Sequence, residues 1–192
     1  MNEAEKPVVA VVEDNELLVD LYAEWIDGAC EVRTALTGRE ALSVIDADVD
    51  VVFLDRRLPD ADGKDVLSAL RERGNTAQVA MLTAVDADFD ILELPFDEYL
   101  HKPVSQAEFN ATVEKLLRRS EYEESIRVLH ELAAKCAALE SVKSDQELRE
   151  SEEYQQLLAE LERAREEAGG HLERFDLRDY HGAFKRLSAR ST

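Results

Sequence analysis

Val51-Val52-Phe53-Leu54-Asp55-Arg56-Arg57-Leu58-Pro59-Asp60-Ala61-Asp62-Gly63 sets four apolar residues before an acid, then a turn-rich loop closed by glycine. A short β-branched and aromatic run bounded by turn signals is the pattern of a strand covered on both faces. Three further segments share this design. Val8–Val12 ends in Glu13–Asp14, Val79–Thr83 ends in a hydroxyl, and Glu98–His101 runs into Lys102–Pro103. Glu31–Ala35 reads as a more polar strand. Helical spacing occupies the intervals: Asn15–Ala29 (Leu17, Leu18, Leu21, Trp25), Arg39–Ala47, Lys64–Arg73 closed by Gly74, and a short Phe89–Leu94. Strands alternating with helices predict an α/β fold with a doubly wound, five-stranded parallel sheet. Five βα units are too few for a closed eight-fold barrel.

Composition narrows the setting. Among 192 residues, 43 acids oppose 23 bases for a net charge of −20, with 45% hydrophobic and 34% charged residues. No apolar run approaches the roughly 20 residues that span a bilayer. Met1–Lys6 lacks the basic and apolar regions of a secretory signal, so a cytoplasmic protein without a membrane partner is expected. Cys30 and Cys136 have no metal-ligand spacing and indicate neither a disulfide framework nor a zinc site. Lysines number 7 against 16 arginines, and the acids are spread along the chain. Such a surface stays hydrated where salt screens its self-repulsion, which points to a salt-rich cytoplasm. It disfavours unassisted nucleic-acid binding over most of its area.

Punctuation divides the chain. Every proline lies before Ser105, and no glycine occurs between Gly74 and Gly169. The predicted organisation is an α/β domain over residues 1–120, a two-helix module over 121–170 and a tail over 171–192. Phe109, Val113, Leu116 and Leu117 finish the first domain. The pattern resumes at Ile126, Leu129, Ala133, Cys136 and Leu139, so an unbroken helix Ser105–Leu139 would extend about 50 Å. Ser144 with Glu147 forms a capping-box pattern opening a second helix through Leu148, Tyr154, Leu158, Leu161 and Ala168, stopped by Gly169–Gly170. The short break at Ser141–Lys143 predicts an all-α helical hairpin or coiled coil. Its narrow apolar stripes call for pairing, between the helices or across a homodimer. The tail interleaves Phe175, Tyr180 and Phe184 with five bases and three acids, the pattern of a short docking helix or of a contact to nucleic acid.

Ligands of open α/β sheets lie at the carboxyl ends of the strands. Glu13, Asp14, Asp55, Thr83 and Lys102 all fall there. Three converging carboxylates repel one another, and a hard divalent cation such as Mg²⁺ removes that cost. An aspartate beside the metal can attack phosphorus, while Lys102 and the Thr83 hydroxyl supply positive charge and a donor for the phosphoryl oxygens. Taken singly, Asp14 could cap the first helix and Lys102 could be a solvated lysine. Four successive strand ends together argue for chemistry.

These residues resemble the receiver domains of two-component response regulators. The matching text is Val11-Val12-Glu13-Asp14-Asn15-Glu16, the Val51–Gly63 stretch, Met81-Leu82-Thr83-Ala84, and Asp97-Glu98-Tyr99-Leu100-His101-Lys102-Pro103, over residues 7 to about 120. The resemblance implies a flavodoxin-like receiver with Asp55 as phosphoacceptor. It further implies that Glu13, Asp14, Asp55 and the Arg57 carbonyl hold Mg²⁺, that Thr83 and Lys102 contact the phosphoryl group, and that Thr83 with Tyr99 forms the switch. A cis peptide before Pro103 and a sensor histidine kinase as phosphodonor follow from the same likeness. Such a protein is no turnover enzyme, although it takes part in its own phosphorylation and dephosphorylation. An aspartyl-phosphate phosphohydrolase would carry a second acid two residues after the nucleophile, where Arg57 stands. The stretch from Thr83 to Lys102 is short for the family and carries Pro95. Thr112 and Glu114 replace basic residues that many members use in a salt-bridged dimer.

The second half resembles the HalX domain that follows receivers in haloarchaeal regulators. That likeness implies a role in transcription, through a protein partner or through DNA contacted directly by the helices or tail. No helix-turn-helix pattern is present: the segment lacks a suitable turn glycine and a basic recognition helix.

Overall fold

The computed structural model describes residues 6–84 and 94–174. It divides between Ser120 and Glu121 into two units. The first holds β1 (Val8–Val12), α1 (Glu16–Ile26), β2 (Glu31–Ala35), α2 (Gly38–Val44), β3 (Val51–Asp55), α3 (Gly63–Glu72), β4 (Gln78–Thr83) and β5 (Glu98–His101). The long helix α4 (Gln106–Glu140) begins in this unit. The strands form one five-stranded sheet in the order β2-β1-β3-β4-β5, every pairing parallel. The expected doubly wound sheet is therefore the observed one. The short helix expected over Phe89–Leu94 lies outside the described residues up to position 93.

The pleat divides each strand between two cores. Val8, Ala10, Val12, Val52, Leu54, Val79 and Met81 pack with Ala41 of α2 and with Val66, Leu67 and Leu70 of α3. Val9, Val11, Val51, Phe53, Ala80 and Leu82 face Tyr22 and Ile26 of α1 and Phe109, Val113 and Leu116 of α4. Phe109 anchors α4 to the sheet. Its ring stacks on Phe53 at 4.1 Å and on Tyr22 at 4.9 Å between centroids, with Trp25 edge-on at 5.6 Å. Farther along α4, Arg119 is buried, its guanidinium 3.3 Å from the Asp97 carboxylate. Asp97 also accepts the Val79 N–H at 2.8 Å and lies 3.5 Å from Arg71, whose guanidinium donates to the Asn75 and Ala77 carbonyls. Burial of a carboxylate is offset here by two guanidinium groups and a backbone donor.

The second unit contains the rest of α4, α5 (Asp145–Glu150) and α6 (Glu152–Arg174). Helix α4 is unbroken through the polar stretch after Arg118. The second helix differs from expectation at both ends. It breaks at Ser151, whose backbone is extended (φ −83°, ψ 118°) and whose hydroxyl accepts the Tyr154 N–H at 3.1 Å. A serine side chain that satisfies a free N–H restarts the helix as α6. Gly169–Gly170 do not stop α6, which continues to Arg174. Glycine costs only about 1 kcal/mol per helical position, and without a left-handed residue it terminates nothing. The expected capping box at Ser144 and Glu147 is formed. The Tyr154 hydroxyl donates to Glu140 at 2.6 Å, tying α6 to the end of α4. Buried Tyr154, Ala164 and Ala168, with half-buried Leu157 and Leu161, alternate spacings of three and four. This seam passes Leu158 by, leaving it 36% exposed.

Two glycines separate tight packing from helix propensity. A Cβ at Gly63 would lie 2.2 Å from the Asp55 carbonyl oxygen, whereas one at Gly170 meets nothing within 4 Å. Gly63→Ala is expected to cost at least about 2 kcal/mol, because backbone must move. Gly170→Ala should stabilise α6 by up to about 1 kcal/mol. Guanidinium unfolding followed by circular dichroism at constant high salt measures both, and an unharmed Gly63→Ala protein would refute the close approach.

Candidate functional site

Parallel pairing aligns the carboxyl ends of the strands, and the register sets which residues project there. Val12 pairs with Leu54, Asp55 with Leu82, and Thr83 with His101. Glu13, Asp55, Thr83 and Lys102 therefore reach one edge together. Asn15, not Asp14, caps α1: its side chain accepts the Leu17 N–H at 3.0 Å. That leaves exposed Asp14 available to the edge. Single carboxylate oxygens of Glu13, Asp14 and Asp55 all lie within 4.8 Å of one another. The Lys102 ammonium forms hydrogen-bonded ion pairs with both Glu13 and Asp55. Its backbone N–H donates to the Thr83 carbonyl at 2.7 Å, and the expected cis peptide is present at Lys102–Pro103.

Burial sets the electrostatics. Glu13 is 1% exposed and Asp55 7%. Loss of water pushes the Glu13 carboxyl up to about 7, although the hydrogen bond and charge of Lys102 pull the other way. For Lys102, burial pulls the ammonium down, but its bonds to Asp55 and Glu13 outweigh this and hold it above its usual value. An oxygen-only cluster of three carboxylates, one of them exposed, fits a hard divalent cation. A cation held there would neutralise the repulsion among the three acids.

The loop after Asp55 is braced at its root. The Arg57 N–H donates to Asp55 Oδ1 at 2.9 Å, Leu58 N–H to the Ala61 carbonyl at 3.1 Å, and Gly63 N–H to the Arg56 carbonyl at 2.7 Å. Asp62 caps α3 by accepting the Lys64 N–H at 3.0 Å. Thr83 is buried at the end of β4. Half-buried Tyr99 packs against the core on the Met81 side of the sheet, its ring 5.9 Å from Phe96. Because Tyr99 pairs with Met81 and His101 with Thr83, Thr83 and Tyr99 share a face on neighbouring strands.

Residues 9–114 match the family described as the response regulator receiver domain, and residues 118–184 match the HalX domain. The chain belongs to the response regulator receiver family. A candidate transcriptional regulator of Haloferax volcanii is 49% identical over 165 residues, covering 85% of this chain and 28% of that protein. The alkaline phosphatase synthesis transcriptional regulatory protein PhoP of Bacillus subtilis is 40% identical over 118 residues, 59% of this chain and 49% of PhoP. The chain thus spans half or less of these relatives' lengths. Among solved structures, the BeF3-activated receiver domain of DrrB from Thermotoga maritima is 30% identical, with a TM-score of 0.54 over 58% of this chain and 97% of that one. The receiver assignment covers the sheet and its acidic edge, and the HalX match covers the helical extension. No helix among the described residues is long and apolar enough to cross a membrane.

Sequence reasoning did not assign Asp60, Asp62 or Gly63 a task in this receiver. Aspartate before a helix start could have revealed the Asp62 cap. Asp60 reaches backbone 21 and 22 residues away, which no local pattern discloses.

Burial that favours the protonated Glu13 carboxyl couples folding to pH. Between its ordinary value of 4.5 and about 7, the folded metal-free protein binds more protons here than the unfolded chain does. Stability contributed by this group is therefore complete below pH 4.5 and lost as pH rises through 7. Guanidinium unfolding in a chelator should show stability falling across this window, with a slope approaching about 1.4 kcal/mol per pH unit. Glu13→Gln should flatten that slope, and an unchanged slope in the variant would refute the burial of an ionisable Glu13.

Proposed function

We propose that this chain is the phosphoacceptor of a two-component phosphorelay, with Asp55 receiving a phosphoryl group from a sensor histidine kinase. The observation that carries the reading is the Lys102 ammonium shared by Asp55 and Glu13 where the three carboxylates converge. In the reaction a carboxylate oxygen of Asp55 attacks phosphorus, and the bond from phosphorus to the donor's nitrogen or acyl oxygen breaks. Glu13, Asp14, Asp55 and the Arg57 carbonyl would hold Mg²⁺, which would supply positive charge for the phosphoryl oxygens. Lys102 changes partner from the carboxylate to the phosphoryl oxygens, and the Thr83 hydroxyl donates to another.

The new charge reaches the rest of the domain through Thr83 and Tyr99. Movement of Thr83 toward the phosphoryl group vacates space on the face it shares with Tyr99, and the aromatic ring fills it. The receiver over residues 1–120 then controls the helical module over 121–170 in transcriptional regulation. Relatives named as transcriptional regulators support this output. Leu139 and Leu158 are each 36% exposed and Val142 76% exposed, which favours an apolar partner for the helices, either a second copy or a transcription protein. Direct DNA contact would fall to the tail over 171–192, most of which lies outside the described residues. The phosphohydrolase alternative lacks its second acid, since Arg57 occupies that place.

Intact mass after incubation with Mg²⁺ and acetyl phosphate in concentrated KCl tests the reading. Wild type is expected to gain one phosphoryl group and Asp55→Asn none. Modification of the variant, or a folded wild type that stays unmodified with both acetyl phosphate and a cognate kinase, would remove Asp55 from its role.

A further inference from the structure

Asp60 does something its exposure does not suggest. One carboxylate oxygen accepts the Gly38 N–H at 2.7 Å and the other accepts the Arg39 N–H at 3.1 Å. These are the first two residues of α2, so the bonds join the tip of the loop after Asp55 to an element in a different βα unit. The carboxyl is held below its ordinary value, chiefly by the Gly38 hydrogen bond.

Helix α2 has a cap of its own. Thr37 accepts the Glu40 N–H at 3.1 Å, and Glu40 reaches back to the Leu36 N–H at 2.9 Å. The Asp60 contact is thus an added tie. Packing accompanies it: a Cβ placed on Gly38 would lie 2.9 Å from both Ala61 Cβ and Val66 Cγ2. Loop tip and helix start meet closely because position 38 has no side chain. At its other end the loop is rooted by the Arg57, Leu58 and Gly63 hydrogen bonds already described. Arg57 belongs to the root, so with the tip also held its backbone carbonyl has little freedom to shift.

We propose that Asp60 is a positioning residue for metal binding: by clamping the loop to the start of α2, it holds the Arg57 carbonyl where the cation needs it. The proposal rests on the Mg²⁺ reading above, and its test separates the two. Full-length wild type, Asp60→Ala, Asp60→Asn and Thr37→Ala are compared by calorimetric Mg²⁺ titration and by amide hydrogen exchange in metal-free protein. Thr37→Ala weakens α2 without touching the loop. Asp60→Ala should weaken Mg²⁺ binding roughly tenfold, the lower end for residues that orient a metal ligand. It should also speed exchange at Arg57, Leu58 and Gly63. Asp60→Asn retains one acceptor oxygen and should fall between. Thr37→Ala should leave both readouts within about twofold of wild type, since its lost cap acts only on α2. Unchanged loop exchange in Asp60→Ala would overturn the proposal, as would equal effects from Thr37→Ala. Should wild type bind no Mg²⁺ through Asp55, the metal reading fails, and the exchange data still decide whether Asp60 clamps the loop.

Discussion

A single ammonium holds the acidic edge together. Glu13 and Asp55 are nearly devoid of solvent, and exposed Asp14 lies beside them. Like charges in that setting would protonate or push the strand ends apart. Lys102 opposes both by bonding to two of the three, although burial still holds the Glu13 carboxyl above its ordinary value. Its own position depends on the sheet, because its N–H pairs with the Thr83 carbonyl as β5 leaves the last ladder.

The same dependence runs outward to α4. Phe109 fixes the start of this helix by stacking on Phe53, one residue before Leu54 and two before Asp55 on β3. Arg119 fixes a later turn through Asp97, immediately before β5. Phe53 lies on one of the strands whose ends form the acidic edge, and Asp97 immediately precedes another. The helix that continues into the second unit is therefore attached to the two strands that carry Asp55 and lead to Lys102.

Much of this was legible in the residues. Apolar runs ending in an acid, an acid pair, a hydroxyl and a lysine identify the strands and their functional edge, because a fully covered parallel strand has no polar alternation to confuse its period. The expected helix from Ser144 to Gly169–Gly170 instead breaks at Ser151, whose hydroxyl satisfies a free N–H, and it then runs past the glycine pair. Arg119 reads as part of a polar stretch, but a partner supplied by Asp97 buries it.

Sequence alone determined the number and order of the strands and the residue types at each strand end, since periodicity and turn chemistry are properties of neighbours along the chain. The tertiary structure decided which charges meet. Lys102 finds Glu13 and Asp55, Arg119 finds Asp97, and Asp60 finds the start of α2 across 21 to 89 positions of sequence. Such pairings arise when strand register and helix packing bring distant groups within hydrogen-bond distance, and burial then makes each one consequential by removing the water that would otherwise screen it.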